Sequence, residues 1–394
     1  MTEPHFADTH PMALPAASPQ ATRATPLGIR FTSSGSEYFR IWIVNLLLTL
    51  VTLGIYHPWA KVRRLRYFYG NTLVDGAALD FHGNPKKMLK GSALVAVLFG
   101  LYSLAGQFSP MAGLIALVLV AVIAPALVRA SMQFRLANTS WRGLRFRFTG
   151  SMPEVYRAVL PLYAPAVLMV ALVTFAAPDA AHPTISLWFL QFILVMVVLA
   201  LAIQPWTFWK LKQYQHNHYA LATQQTRFTA TPGSIYILGL KILGVLLLAI
   251  AVPAAMTVQA IDKLAQTRSL SAGVTAFLLV IFMLFVMLAA VKPYAISRTQ
   301  NLVWNHTRSA SLQFLSDLRF KPLLWLTLKN WLLMLVTLGL YWPFAAVAMA
   351  RLRLQAMSIQ SDIDMNTLVG QHGSGSNEAA GDAAGDMLGF DLGL

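Results

Sequence analysis

Four histidines in the connections between hydrophobic runs are candidates for a cluster, and histidine can bind metal or transfer protons near neutral pH. They are His57, His216, His218 and His306. A metal site needs three or four converging ligands with oriented partners. His216 and His218 would share one face of a strand, but on a helix, the expected setting here, they point about 200° apart. We therefore predict structural histidines, with no metal and no cofactor.

Carboxylates inside the hydrophobic runs would indicate a proton-coupled or sodium-coupled carrier, because an ionisable group in lipid is costly and is kept there for a role. Outside the terminal tails, all acidic residues fall in connections: Glu37, Asp75, Asp80, Glu154, Asp179, Asp262 and Asp317. The chain has no cysteine, and it shows no nucleophile elbow, phosphate-binding glycine loop or helical zinc pair. We predict that the protein is not an enzyme.

Two asparagines occupy matching positions in two hydrophobic runs. Asn45 precedes Pro58 by as many residues as Asn330 precedes Pro343. The pair could line a pore, or it could hold helices together through an interhelical hydrogen bond of about 0.6 kcal/mol. The hydrogen bond is the favoured interpretation, and the pore remains the alternative.

Basic residues crowd the connections that follow the prolines, whereas the opposite connections carry few charges. The first set is Lys61, Arg63, Arg64 and Arg66. The formal charge of +15 therefore reflects the positive-inside pattern of membrane proteins and not nucleic-acid binding. Apolar side chains between these basic residues recur at helical spacing, which predicts a helix lying in the membrane interface. The four residues are candidate contacts to anionic headgroups at the cytoplasmic face, although anchoring of a helix end is the simpler interpretation.

The chain repeats this arrangement. Four prolines are each followed at the same distance by Asn or His: Pro58 by Asn71, Pro125 by Asn138, Pro205 by His218 and Pro293 by His306. A fifth, shortened copy starts at Pro343. A shared register across unequal sequences predicts a duplicated unit, made of a membrane helix, a proline exit, a basic interfacial helix and a short strand-turn.

Eight apolar runs are long enough to cross about 30 Å of hydrocarbon, which takes about 20 helical residues. They fall at residues 39–56, 91–108, 111–128, 158–176, 185–205, 235–258, 272–291 and 323–341. With 57% hydrophobic and 11% charged residues, the composition excludes an ordinary soluble domain. We predict an all-α polytopic membrane protein with about eight membrane helices and short strand-turn segments. Apolar length favours spanning by the first and last helices, whereas the repeat favours their re-entry.

The two ends of the chain differ in composition from the middle. Residues 1–26 are rich in Ala, Pro, Thr and Ser, and residues 361–394 form an acidic Gly/Ala-rich segment. Both are predicted to be disordered tails, and the first has no signal-peptide pattern. Residues 27–360 are predicted to form one integral membrane domain.

The first motif carries a family resemblance. The run Leu50-Val-Thr-Leu-Gly-Ile-Tyr-His-Pro-Trp-Ala-Lys-Val-Arg-Arg64, with Gly70-Asn-Thr72 and Phe81-His-Gly83, resembles the YjgN-like family of bacterial inner-membrane proteins, which contains a domain of unknown function. The resemblance extends over residues 27–360. It implies a multi-pass location in the inner membrane and no particular chemistry.

Two classes of function remain after these exclusions. The first is a noncatalytic envelope scaffold or lipid-interacting protein, indicated by the repeated basic helices. The alternative is a channel or facilitator for a small solute or lipid, because many transport folds contain internal repeats. A water-filled path through the protein would distinguish the second class from the first.

Overall fold

The computed structural model describes residues 25–176, 187–267 and 269–372 of the 394-residue chain. The helices are α1 (Gly35–Val51), α2 (His57–Gly70), α3 (Pro85–Phe108), α4 (Pro110–Ala137), α5 (Met152–Ala176), α6 (Leu187–Asn217), α7 (Pro232–Thr267), α8 (Leu270–Val286), α9 (Lys292–Asn305), α10 (Phe320–Val336), α11 (Trp342–Gln355) and α12 (Met365–His372). A π-helical turn, Met287–Val291, joins α8 to α9.

The strands are short, and all of them belong to one sheet. They are β1 (Thr25–Phe31), β2 (Thr72–Val74), β3 (Ala77–Phe81), β4 (Thr139–Trp141), β5 (Leu144–Phe148), β6 (Tyr219–Leu221), β7 (Gln224–Gln225), β8 (Arg227–Phe228), β9 (Thr307–Arg308), β10 (Leu312–Ser316) and β11 (Met357–Ser361). The spatial order is β7-β6-β5-β4-β3-β2-β1-β11-β10-β9-β8. The predicted all-α fold with separate strand-turns is thus corrected to a mostly helical protein with an 11-stranded sheet.

The sheet bends into a nearly closed ring. Its two edge strands, β7 and β8, are separated in the chain by Thr226 alone. The Ser309 hydroxyl donates to Gln224 Oε1 at 3.0 Å, which links the β9 side to the β7 side. Strands of two to seven residues are too short to show a clear alternating pattern, so the sequence did not reveal their common sheet.

Five helix pairs leave this sheet and return to it. Each pair connects two strands that are hydrogen-bonded to each other: β1 and β2 by α1–α2, β3 and β4 by α3–α4, β5 and β6 by α5–α6, β8 and β9 by α7–α9, and β10 and β11 by α10–α11. Because partner strands lie side by side, each pair starts and ends at the same side of the sheet.

Six helices in the described part of the chain are long and apolar enough to cross a membrane. They are Pro85–Phe108, Pro110–Ala137, Met152–Leu172, Leu187–Asn217, Pro232–Ala251 and Leu270–Asn305. The predicted eight spans are therefore not confirmed. The first and last predicted spans correspond to α1 and α10, which have 17 residues each and reach about 26 Å, less than the hydrocarbon thickness of about 30 Å.

Both short helices end in a turn that reverses the chain. Leu53 and Gly54 have φ angles of 47° and 92°, and Leu338 and Gly339 have φ angles of 49° and 90°. These left-handed residues turn α1 back into α2 and α10 back into α11. The apolar runs hid the reversal because they continue through it. The re-entry that the repeat favoured stays a prediction.

The predicted proline exits differ between helix pairs. Proline stands in the first turn of α2 and α11, where its missing amide needs no partner. Pro125 and Pro205 instead lie inside the continuous helices α4 and α6. Long membrane helices tolerate proline because neighbouring groups satisfy the freed carbonyl, so the prolines of α4 and α6 mark no helix boundary.

The inside of the ring is an apolar core. Leu27, Trp141, Leu221 and Leu312 come from β1, β4, β6 and β10, yet they belong to one buried cluster with Leu368 of α12. Strands from opposite sides of a ring can share a cluster only in its interior. Since β11 runs away from the helices, α12 closes the far end of the ring.

The predicted C-terminal boundary at residue 360 falls within β11, and α12 lies in the segment predicted as a tail. Residues 1–24 and 373–394 are outside the described part of the chain. Residues 177–186, which include Asp179, and residue 268 are outside it as well.

Candidate functional site

The Asn and His residues of the predicted repeat have one structural role. Each places a side-chain nitrogen next to the carbonyl four residues earlier, at the end of a helix where backbone carbonyls lack partners. The contacts are Asn71 to Tyr67 O (2.8 Å), Asn138 to Phe134 O (2.8 Å), His218 to Tyr214 O (2.7 Å) and His306 to Leu302 O (2.8 Å). A carbonyl only accepts, so Nδ1 of both histidines carries the proton, and both rings act as helix caps.

His216 connects two helix pairs. It is 4% exposed, and its Nδ1 lies 3.0 Å from the Thr307 hydroxyl oxygen. That hydroxyl donates its hydrogen to the Val303 carbonyl at 2.7 Å, so it accepts a hydrogen bond from His216. The ring of Trp304 lies 5.1 Å away. His216 therefore links α6 to the end of α9 and to β9.

The histidines do not converge on a metal. His218 Nε2 lies 3.4 Å from Glu154 Oε2, whereas His216 faces Thr307, and His57 is exposed. Among the described residues, no group of three or more His, Asp or Glu side chains could hold a metal ion.

Five hydrogen bonds join the helix pairs into a closed circle. In each, a side chain from the second helix of one pair donates to a backbone carbonyl just before the next pair. They are Arg66 to Gly83 O (3.4 Å), Arg129 to Gly150 O (2.7 Å), Trp209 to Ala230 O (2.8 Å), Asn301 to Leu318 O (3.1 Å) and Arg351 to Ser33 O (2.6 Å). The last bond joins the fifth pair to the first. A sequence signal existed, since Ser33, Gly83, Gly150 and Ala230 each stand two residues after a strand-end phenylalanine.

The four predicted lipid contacts on α2 differ in their surroundings in the structure. The guanidinium of Arg64 lies 5.7 Å from the Trp342 ring centre and Arg66 bonds Gly83, so both take part in packing between helix pairs. Lys61 is half-buried, whereas Arg63 is exposed. Arg64 and Arg66 are also exposed, and contact of these arginines with a headgroup stays a prediction.

Two tyrosines near the sheet are kept neutral. The Tyr67 hydroxyl accepts a hydrogen bond from Ser34 N at 3.1 Å and lies 3.0 Å from Glu37 Oε2. Burial raises the pKa of Tyr67, and the neighbouring Glu37 adds to the rise. Burial also raises the pKa of Tyr219 to about 12. Both phenols are therefore hydrogen-bonding groups at neutral pH.

The two predicted mid-membrane asparagines are buried polar groups. Asn45 on α1 is 6% exposed and Asn330 on α10 is 3% exposed. The Oδ1 atom of each has no hydrogen-bond partner in the described part of the chain. The interhelical hydrogen bond favoured by the sequence is therefore not formed by these oxygens, although both residues do lie at matching places on the two short helices.

Sequence reasoning missed two apolar grooves on the outer surface. One, of about 620 Å³, lies between α8 and α10 and is lined by Phe285, Leu328, Trp331, Leu332, Met334 and Leu335. The other, of about 430 Å³, lies between α5 and α6. The side chains that line both grooves are apolar.

Six candidate spans, apolar outer surfaces and one sheet at their common end define a multi-pass membrane protein. The chain belongs to the DUF898 family of bacterial proteins of unknown function, whose family model matches residues 26–387. The predicted family resemblance is thereby confirmed.

The relatives agree on the location. The chain is 25% identical over 351 residues to the inner membrane protein YjgN of Salmonella typhimurium, which covers 85% of this chain and 88% of the relative. It is 33% identical over 128 residues to the inner membrane protein YjgN of Escherichia coli O157:H7, and this match covers 32% of each chain. No solved structure matches. The protein is a multi-pass protein of the bacterial inner membrane.

Proposed function

We propose that the protein is a noncatalytic scaffold of the inner membrane that binds anionic lipid around its sheet-side rim. The observation that carries this proposal is the closed circle of helix pairs on a strand ring whose interior is filled by side chains. The Arg351–Ser33 hydrogen bond joins the last pair to the first. The apolar cluster and α12 fill the interior of the ring, so the described residues offer no polar exit through the sheet.

The outer surface supports the lipid part of the proposal. The spans expose apolar side chains along their length, and the two grooves could hold acyl chains. On the outer wall of the sheet, exposed arginines outnumber exposed acids: Arg30, Arg145, Arg147, Arg227 and Arg308 against Asp80. By the positive-inside rule, this sheet side is the cytoplasmic side.

The five helix pairs further support an origin by duplication. In every pair, the residue after the strand end donates its amide to the carbonyl at the end of the second helix. These bonds are Thr32 to Asn71, His82 to Asn138, Thr149 to His218, Thr229 to His306 and Asp317 to Ala356. A structure assembled from equivalent pairs is rigid and modular, as a scaffold requires.

A channel or facilitator is the second candidate, and one observation favours it. The second helices meet through their side chains around a common axis, as Arg64 of α2 does with Trp342 of α11. Polar side chains lie at one of these contacts, where Arg353 of α11 donates to Gln300 of α9 at 2.8 Å. A water-filled path along this axis would support transport, but the plugged sheet blocks its continuation.

Cysteine labelling separates the two candidates, because the native chain has no cysteine. Single cysteines at Asn45, Gln300 and Asn330 would be treated with a membrane-impermeant maleimide, with exposed Arg63 and Gln107 as controls on the two sides. We expect labelling at the two controls only. Labelling at the three buried positions would show a hydrated path and overturn the scaffold proposal in favour of a channel.

A further inference from the structure

Two arginines lie side by side on the outer wall of the sheet. In the antiparallel pair of β8 and β9, Arg227 is directly opposite Arg308. Directly opposed residues have Cβ atoms about 4.5–5.5 Å apart. Their guanidinium groups can therefore reach the same small anion.

Both side chains point away from the core of the ring. Arg227 and Arg308 are exposed, whereas their neighbours Phe228 and Thr307 are buried at 6% and 0% exposure. Successive residues of a strand face opposite sides of a sheet, so the two arginines share the outer face. Gln313, opposite Arg308 on β10, extends this polar row.

Nothing in the described part of the chain neutralises the pair. The ion pairs found there join other residues, Arg142 with Asp75, His218 with Glu154 and Arg319 with Asp317. Within residues 25–176, 187–267 and 269–372, Arg227 and Arg308 form no side-chain hydrogen bond either. Like charges directly opposite each other destabilise a sheet. A bound external anion would neutralise the two arginines and reduce this repulsion.

The pair lies at the level of the lipid headgroups. The candidate span of α7 begins at Pro232, and the span that includes α9 ends at Asn305; both ends are within five residues of an arginine of the pair. Trp209 donates to the Ala230 carbonyl at 2.8 Å, and tryptophan concentrates at the membrane interface. Lys210 Nζ lies 4.8 Å from the ring centre of Trp209, which adds a cation at this level.

We propose that Arg227 and Arg308 form a binding site for the phosphate group of an anionic phospholipid. The inference rests on the proposed lipid-binding function and names the residues and the chemical group. A guanidinium donates two parallel hydrogen bonds to phosphate oxygens, and two adjacent guanidinium groups exceed the single charge of a phosphodiester. The site therefore favours anionic over zwitterionic lipid.

The chain supplies a matched control for the test. Arg30 stands immediately before Phe31, as Arg227 stands before Phe228, and both are exposed on the outer face. Residue Leu73 is opposite Arg30, so this position presents a single arginine. Replacement of Arg30 removes one outer-face arginine, against two in the double variant, and leaves the pair intact.

The experiment measures lipid binding by native mass spectrometry of the purified full-length chain. Phosphatidylglycerol, phosphatidylcholine and glycerol 3-phosphate would be titrated separately onto the wild type, Arg227→Gln/Arg308→Gln and Arg30→Gln. We expect phosphatidylglycerol to bind the double variant about tenfold more weakly, from lost charge-assisted hydrogen bonds, and the control to bind like the wild type. The double variant should melt no lower than the wild type, because a like-charge contact is removed.

The possible failures are distinguishable. Wild-type chain that binds both lipids equally would overturn the proposed lipid-binding function itself. A preference for phosphatidylglycerol that survives in the double variant, or is lost equally in Arg30→Gln, would overturn only the arginine site. Binding of glycerol 3-phosphate as tight as that of phosphatidylglycerol would assign the site to a soluble phosphate compound and overturn the lipid assignment.

Discussion

At the scale of single residues, the most informative groups are buried polar atoms. The asparagine oxygens of α1 and α10 have no partner among the residues that the structure describes, whereas the side chain of Asn301 on α9 both donates and accepts. Its Oδ1 accepts from Ser316 Oγ and from Leu318 N, each at 2.8 Å, and its Nδ2 donates to Leu318 O at 3.1 Å. The half-buried amide of Asn301 is thus hydrogen-bonded, whereas the buried oxygens of Asn45 and Asn330 are not.

This contrast predicts opposite effects of the same substitution. We expect Asn330→Leu to leave the free energy of unfolding unchanged or raise it by about 1 kcal/mol, because a buried unpaired oxygen is removed. Asn301→Leu should lower it by about 2–3 kcal/mol, because it leaves two donors and one carbonyl without partners. Thermal unfolding in detergent measures both. Equal losses in the two variants would show that Asn330 has a partner, such as a buried water molecule.

At the scale of elements, the length of each helix pair is set by its turn. In the two short pairs, a Leu-Gly turn follows the 17-residue helix, and both turn residues have positive φ angles. In the pair of α3 and α4, Ser109 separates two long helices, and its hydroxyl accepts a hydrogen bond from Ala112 N at 3.0 Å. A few residues at the turn therefore accompany the difference between short and long helix pairs.

The turn between α1 and α2 requires glycine at position 54, and this requirement can be tested. Gly54 has a φ angle of 92°, so an alanine there is strained although its Cβ meets open space. We expect Gly54→Ala to destabilise the protein by roughly 1 kcal/mol or more. Gly100→Ala within α3 is the control, since it also meets open space and should be neutral or stabilising, because alanine favours helices. A melting temperature unchanged by Gly54→Ala would contradict the turn geometry.

At the scale of the whole molecule, closure joins residues from the two ends of the chain. Helix α1 packs on α11, β1 pairs with β11, and Arg351 Nη2 donates to Ser33 O at 2.6 Å. These contacts turn a linear series of helix pairs into a circle. Each pair is then supported on two sides, which a linear arrangement cannot provide for its first and last members.

Closure predicts a local effect from a single substitution. Arg351→Met keeps the apolar stem and removes the donor to Ser33, so we expect a loss of about 1 kcal/mol and faster hydrogen exchange at the start of α1. Exposed Arg63, changed to Met, should not alter exchange there. Hydrogen exchange read by mass spectrometry compares the two variants. If α1 exchanges at the wild-type rate in Arg351→Met, the closing contact does not depend on this bond.

Local patterns predicted part of this molecule well. Apolar runs located the six spans because hydropathy is additive along a helix, and the proline register located the helix ends that Asn71, Asn138, His218 and His306 cap. The lipid-contact prediction on α2 was made from charge and helical spacing, which cannot show that Arg64 and Arg66 contact neighbouring helix pairs.

The sequence by itself determined the membrane class, the family and the positions of the helix caps, since each depends on residues close together in the chain. Only the tertiary structure decided that the strands form one ring, that α1 and α10 turn back, and that Arg227 lies opposite Arg308. The physical reason is that strand pairing and closure depend on which distant segments meet in space. Strands of a few residues carry too little local pattern to specify that meeting.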